Sequence, residues 1–128
     1  MKLGILPGKL AICRLGARGD IPAWASGTWF LSITRTRDEL SIVCDQQYVP
    51  SETLASREWR AFRLEGPIDL GETGVLAALA VPLAEARIPI FPVATHDTDY
   101  TLVRENDLPR ALEALRAAGH EVEEVPPA

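Results

Sequence analysis

The sequence contains no apolar run approaching the ~20 residues that a membrane-spanning helix requires. Its opening, Met1-Lys2-Leu3-Gly4-Ile5-Leu6, carries one charge and breaks at Pro7-Gly8. It lacks the long apolar middle and the small-residue cleavage site of a secretory signal. A cytoplasmic protein is therefore expected, with no membrane partner. A basic excess is missing as well: 13 Lys and Arg stand against 18 Asp and Glu, a net charge of −5. Such a surface repels nucleic-acid phosphates and anionic bilayers, so no nucleic-acid partner is expected. Cysteine is scarce. Cys13 and Cys44 each sit in an apolar run, the setting of small buried strand residues. A disulfide is the lesser alternative, because a cytosolic chain seldom keeps one. No CxxC and no His-x-x-x-His spacing occurs, which argues against a zinc site. The G-x-S-x-G elbow, the Walker lysine loop and G-x-G-x-x-G are also absent. No metal and no organic cofactor is expected.

What is present is a globular composition. The chain has 128 residues, of which 47% are hydrophobic. That suffices for one domain, or for two very small ones sharing a core, and it argues against disorder. The first half reads as strands. A short apolar run at residues 3–6 ends at Pro7-Gly8. Residues 9–15 alternate with apolar side chains on both faces, which marks a central strand. Residues 16–27, rich in Gly, Asp and Pro, read as a loop with room for one helical turn at residues 22–25. Residues 28–34 and 39–44 are strand-like and flank a polar Arg35-Thr36-Arg37-Asp38 turn, a hairpin pattern. Residues 50–57 are polar and compatible with one or two helical turns.

From Trp59 on, strand and helix alternate. Residues 59–64 place Phe62 and Leu64 inward. Residues 73–86 have helical spacing, with Leu76, Leu79, Ala80 and Leu83 on one face and Thr73 as the capping residue. Pro82 interrupts this helix, because an interior proline forfeits a backbone bond and costs ~3 kcal/mol. A kink is expected, or a helix that ends near Val81 and restarts. Residues 89–94 form a strand that Pro92 assigns to an edge or a bulge. Residues 100–104 form another. Asn106 or Asp107 caps a second helix, with Pro109 in its first turn and Gly119 as its stop. Residues 120–125 make a final strand. The order strand, helix, strand, strand, helix, strand is the ferredoxin-like βαββαβ unit. The first half shows more strand and less helix in a loosely similar order, without a residue-by-residue repeat.

Two loops offer ligand chemistry. Residues 66–74 carry three glycines, which allow close approach of backbone to a ligand. The helix that follows opens with free N–H groups near Gly74, Val75 and Leu76, which favour a carboxylate. An ordinary strand-to-helix connection has the same composition. Residues 95–99 hold two carboxylates and two hydroxyls able to accept from an ammonium or guanidinium, although a solvated hairpin turn does too. An acid–base enzyme built on His96, Asp97 and Asp99 is a further alternative.

The residues 59–106 also carry a family pattern. It comprises Leu64-Glu65-Gly66-Pro67 followed by Thr73-Gly74-Val75-Leu76, then Pro82-Leu83-Ala84-Glu85-Ala86 with Ile88-Pro89. Thr95-His96-Asp97-Thr98-Asp99-Tyr100 before Leu102-Val103 completes it. Upstream, Leu6-Pro7-Gly8, Cys13-Arg14-Leu15, Ser32-Ile33-Thr34-Arg35-Thr36 and the residues 39–44 belong with it. Together they resemble the ACT-domain proteins of the CASTOR-like group. The resemblance implies an α+β fold of tandem ferredoxin-like units, an antiparallel sheet with helices on one face. Residues 1–58 would be a degenerate ACT-like unit and residues 59–128 an ACT domain. It implies a non-enzymatic regulatory module that binds a small ligand, an amino acid being the expected class, and that works as a homodimer. Carried over by position, it implies ligand contacts at Ile68, Asp69, Gly74 and Val75, and at Thr95, Thr98 and Asp99. Ala94 stands where this family often has serine, so one hydroxyl contact is missing. The resemblance also makes Pro82 a regular feature that shortens the helix. A module that only binds another protein is the main alternative.

Overall fold

The structure, a computed structural model, describes residues 1–127. It divides into two compact units. An N-terminal unit holds Gly8–Trp59, and a C-terminal unit holds Met1–Pro7 together with the chain from Arg60 on.

The N-terminal unit contains β2 (Leu10–Leu15), β3 (Ser32–Arg35), β4 (Leu40–Asp45) and the first half of β5 (Ala55–Leu64); β1 (Lys2–Ile5) belongs to the other unit. Their order is β3-β4-β2-β5, all antiparallel. β2 is therefore central here, as its two apolar faces imply. No α-helix occurs among the described residues of this unit, only one 3₁₀ turn, Gln46–Tyr48. One sheet face buries Ala11, Cys13, Leu40, Ile42, Cys44 and Val49, with Trp24 and Ala25 packed against them.

Three local expectations change. The stretch 28–34 is strand only from Ser32, because the backbone folds back before it. The Thr28 N–H donates to Asp45 Oδ2 at 3.1 Å, and a Cβ on Gly27 would lie 2.1 Å from the Phe30 carbonyl. Residues 22–25 form a turn, closed by the Ala25 N–H on the Pro22 carbonyl. Residues 50–57 are not helical. A turn closes from the Thr53 N–H to the Pro50 carbonyl, and the sheet then takes the backbone, with Cys13 opposite Ala55 and Ile12 opposite Ser56. β5 is bulged between these pairs and Leu10–Trp59. At the bulge Glu58 has φ 65. Its N–H donates to Gln46 Oε1 at 2.6 Å.

In the C-terminal unit, β5 is followed by α1 (Val75–Glu85), β6 (Ile90–Ala94), β7 (Asp99–Arg104), α2 (Leu108–Ala117) and β8 (Glu121–Glu124). This is the expected βαββαβ order, and the protein is α+β. The strand order is β8-β1-β5-β7-β6. β1 (Lys2–Ile5) is inserted between β5, antiparallel to it, and β8, parallel to it. The sequence alone groups this strand with residues 1–58. The pairings Leu3–Leu64 and Leu3–Val122 draw it into the C-terminal unit instead. β6 is an edge strand, where Pro92 is tolerated.

Both helices bury their apolar rows with the same strand face. Leu3, Ile5, Phe62, Leu64 and Val103 meet Leu79 and Leu83 of α1 and Ala111 and Leu115 of α2. The inward row of α1 is the buried Leu79 and Leu83 with the partly buried Val75, and Leu76, expected inward, stays 45% exposed. Gly74, not Thr73, is the N-cap, with φ 77 and no side-chain cap bond. Asp107 is the N-cap position of α2, but its carboxylate accepts from Arg110 instead of from a backbone N–H. Gly119 (φ 94) ends α2 as expected.

Pro82 neither ends nor splits α1, which runs to Glu85. Proline lacks the N–H that would bond the carbonyl four residues back, Ala78. His120 Nε2 lies 3.0 Å from that oxygen. A carbonyl only accepts, so Nε2 carries the hydrogen. A residue 42 positions away thus satisfies the group that the proline leaves unpaired.

Candidate functional site

β5 delivers the chain to Glu65, and the loop that follows turns through the cis Gly66-Pro67 bond toward α1. The β6–β7 hairpin turn lies against this loop. The Ile68 N–H donates to the Asp97 carbonyl at 2.7 Å. The buried Thr98 hydroxyl donates to the Leu64 carbonyl at 2.5 Å. A Cβ on Gly66 would come within 3.0 Å of the Ile68 nitrogen and 3.4 Å of the Asp97 carbonyl. Glycine at 66 is therefore what permits this approach. The turn is closed internally as well, with the Thr95 N–H and hydroxyl both donating to the Thr98 carbonyl at 2.9 Å.

Between loop and turn lies a cleft of about 190 Å³. Ile68, Asp69, Leu70 and Glu72 line it from the loop, Val75 from the start of α1, and Ala94, Thr95, His96, Thr98 and Asp99 from the hairpin. The volume is below the ~300–1,000 Å³ of drug-sized pockets and suits a compact metabolite.

Six of the seven residues singled out from sequence come together here: Ile68, Asp69, Val75, Thr95, Thr98 and Asp99. Gly74 does not line the cleft and acts as the N-cap beside it. Thr98 contributes less free chemistry than its type implies, since its hydroxyl proton is committed to Leu64. Leu70 and Glu72 were not singled out. Their signal was position alone, within a loop already marked by its glycines. Leu70 is 73% exposed, a large apolar side chain at the rim.

The lining is acidic, with Asp69, Glu72 and Asp99 and no Lys or Arg. Asp69 Oδ1 accepts from the Gly71 N–H at 3.0 Å, which shapes the loop. The half-buried Asp99 has no side-chain hydrogen bond or ion pair among the described residues. Across the cleft, α1 begins. Its first i→i−4 bond runs from the Ala78 N–H to the Gly74 carbonyl, so the N–H groups of Val75 to Ala77 precede the helical ladder. On β7 the face that carries Asp99 continues to Thr101 and then to core Val103. Thr101 is 1% exposed, and its buried hydroxyl has no hydrogen-bond partner among the described residues. His96 Nδ1 and Asp97 Oδ1 do meet, at 2.9 Å, but their side chains are 85% and 80% exposed. An acid–base pair in open solvent lacks the desolvation that tunes catalytic groups. Among the described residues, no group of three or more His, Cys, Asp or Glu is arranged to hold a metal ion.

A family model described as ACT domain matches residues 54–117, and a model of an N-terminal domain matches residues 8–52. A crystal structure of a protein from Agobacterium tumefaciens superposes with a TM-score of 0.92 at 44% identity, covering 98% of this chain and 94% of that one. The human "Cytosolic arginine sensor for mTORC1 subunit 1" is 31% identical over 99 residues, which make up 71% of this chain. The chain spans only 30% of the length of that relative. The regulatory subunit of aspartate kinase from Thermus flavus shares the fold, with a TM-score of 0.63 at 11% identity over 91% of this chain and 95% of that one.

Proposed function

Because the chain belongs to the ACT domain family, we propose that it is a regulatory module whose cleft binds a free amino acid without turning it over. The observation that carries this reading is an uncommitted carboxylate, Asp99, lining a cleft whose other wall is the first residue of a helix, Val75. An amino acid carries an ammonium and a carboxylate a few bonds apart. Asp99 takes the cationic group, and the leading N–H groups of α1 take the carboxylate, each helix-terminus contact contributing ~0.3–1 kcal/mol, or more when partly buried. The acidic lining favours a ligand whose side chain is itself cationic. A relative described as an arginine sensor makes L-arginine the first compound to test.

On this reading the N-terminal unit is a degenerate companion of the ACT domain, and the protein works in the cytoplasm. No helix among the described residues is long and apolar enough to cross a membrane. Pairing of two chains is part of the proposal. Leu76 and Val81 on α1, 45% and 52% exposed, provide apolar surface for it.

A thermal-shift panel of the twenty amino acids tests the proposal. A ligand that binds only the folded state at 100 times its Kd adds ~2.7 kcal/mol of stability. The expected result is a shift for a subset led by cationic members, lost in Asp99→Ala. A panel with no shift, or one that Asp99→Ala leaves intact, sinks the proposal. A turnover product would reassign the cleft to an enzyme.

A further inference from the structure

We propose that Cys13 and Cys44 are an oxidation site, a thiol pair that peroxide closes to a disulfide beneath the loop of residues 16–31. The β2–β4 register sets Cys13 opposite Ile42 and Cys44 opposite Ala11. The two cysteines are therefore diagonal neighbours on one sheet face, both free and both buried. The two thiols interact with each other, and Cys44 also interacts with the Ser26 backbone.

The cover over this face is irregular chain. Trp24 and Ala25 lie on the cysteine cluster. Their segment is tied by the Ala25 N–H on the Pro22 carbonyl, the Ser26 hydroxyl on the Trp24 carbonyl and the Thr28 N–H on Asp45. Segments with few backbone bonds open locally at small cost, which gives a molecule as small as hydrogen peroxide a route in.

The surroundings of the two thiols differ. The Cys13 neighbour first, and the Ser26 backbone with it, hold the Cys44 thiol below the ordinary value against the opposing effect of burial, which makes Cys44 the attacking thiol. Cys13 keeps its proton, pushed up by its Cys44 neighbour first and by burial second. The Cys44 thiolate attacks one peroxide oxygen, the O–O bond breaks, and hydroxide leaves, forming a sulfenic acid. Cys13 then attacks the Cys44 sulfur. The S–O bond breaks and the departing hydroxide takes up the Cys13 proton as water. Two thiols and one hydrogen peroxide give one disulfide and two waters.

Diagonal partners sit roughly 7–8 Å apart, somewhat less between Cβ atoms. A disulfide requires Cα atoms at about 4.4–6.8 Å. Closure therefore draws β2 and β4 together locally and leaves a strained bond, and strained bonds are readily reduced. The structure thus assigns a reversible mark, one that disturbs Ser26 and the loop above it.

The test exposes the reduced protein to hydrogen peroxide, alkylates it after denaturation, and reads intact mass and tryptic peptides. The expected result is loss of both alkylatable thiols, a mass lower by a pair of hydrogens, and a linked Cys13–Cys44 peptide that millimolar glutathione reverses. Cys13→Ser halts at a dimedone-reactive sulfenic acid on Cys44, and Cys44→Ser leaves Cys13 unreactive. Retention of both thiols, over-oxidation without a linked peptide, or disulfides between chains would each overturn the proposal.

Discussion

The two units treat polar chemistry in opposite ways. In Gly8–Trp59, six basic and six acidic side chains balance, so the whole −5 of the chain resides in the C-terminal unit. The neutral unit has no α-helix among its described residues and buries its two thiols beneath a loop. The acidic unit covers its sheet with two helices and leaves carboxylates lining an open cleft. The difference comes from how each sheet face is closed. A helix that meets a sheet end brings a cluster of free N–H groups and a loop to its own start, and hence a site. A loop laid over strands brings only local turns, and hence cover.

That contrast can be broken at its tightest points. Both units depend on a glycine pressed against other backbone, and the N-terminal one is the more severe. Gly27→Ala places a Cβ 2.1 Å from the Phe30 carbonyl, and Gly66→Ala places one 3.0 Å from the Ile68 nitrogen. Overpacking costs ~1–3 kcal/mol, so urea unfolding should put Gly27→Ala at the top of that range and Gly66→Ala lower. The reverse order would mean that the covering loop is looser than its contacts indicate. Next in size is the helix repair in the C-terminal unit. His120→Ala leaves the Ala78 carbonyl unpaired and should cost ~1–3 kcal/mol. In a Pro82→Ala background, where the residue-82 N–H can bond Ala78, most of that cost should vanish. A double-mutant cycle with no coupling would refute the assigned role.

Thr101→Val should have the opposite sign. Replacing a buried hydroxyl that lacks a partner with an isosteric methyl should stabilise the unliganded protein by ~1 kcal/mol. A loss of stability on urea titration would show that the hydroxyl is bonded after all. The smallest effect is on pH dependence in the N-terminal unit. Glu58 accepts from Lys9 and Gln46, and these bonds hold its carboxyl below the ordinary value of ~4.3. A group depressed on folding stabilises above its unfolded pKa, and the contribution disappears as pH falls through the folded one. The Glu58 carboxyl resonance should titrate below the free-glutamate midpoint in wild type, and should move up toward it in Lys9→Ala.

Much of this plan was legible in the sequence, where information is local. The run β5 to β8 followed from hydrophobic period and from stop residues such as Gly119. The loop around Gly66 and the turn at residues 95–99 were marked by their own composition. What escaped was set at a distance. Nothing near Lys2–Ile5 says that it pairs with β5 and β8, because the partners lie more than fifty positions away. Pro82 reads as a break until His120 is seen at Ala78. Residues 50–57 read as helical turns until the backbone around Arg14 claims Leu54 and Ala55. Cys13 and Cys44 are single buried residues in the sequence and neighbours on one sheet face only in the register of β2 and β4.

The central claim is that the acidic cleft of the C-terminal unit receives an amino acid between the start of α1 and the hairpin turn. The most direct test is an amide nitrogen–proton NMR titration with L-arginine and, in turn, each other amino acid. Saturable shifts concentrated at Ile68, Val75, Thr95 and Asp99, and abolished in Asp99→Ala, are the predicted result. Spectra that no amino acid perturbs, or shifts gathered in the N-terminal unit while the cleft stays silent, would contradict it.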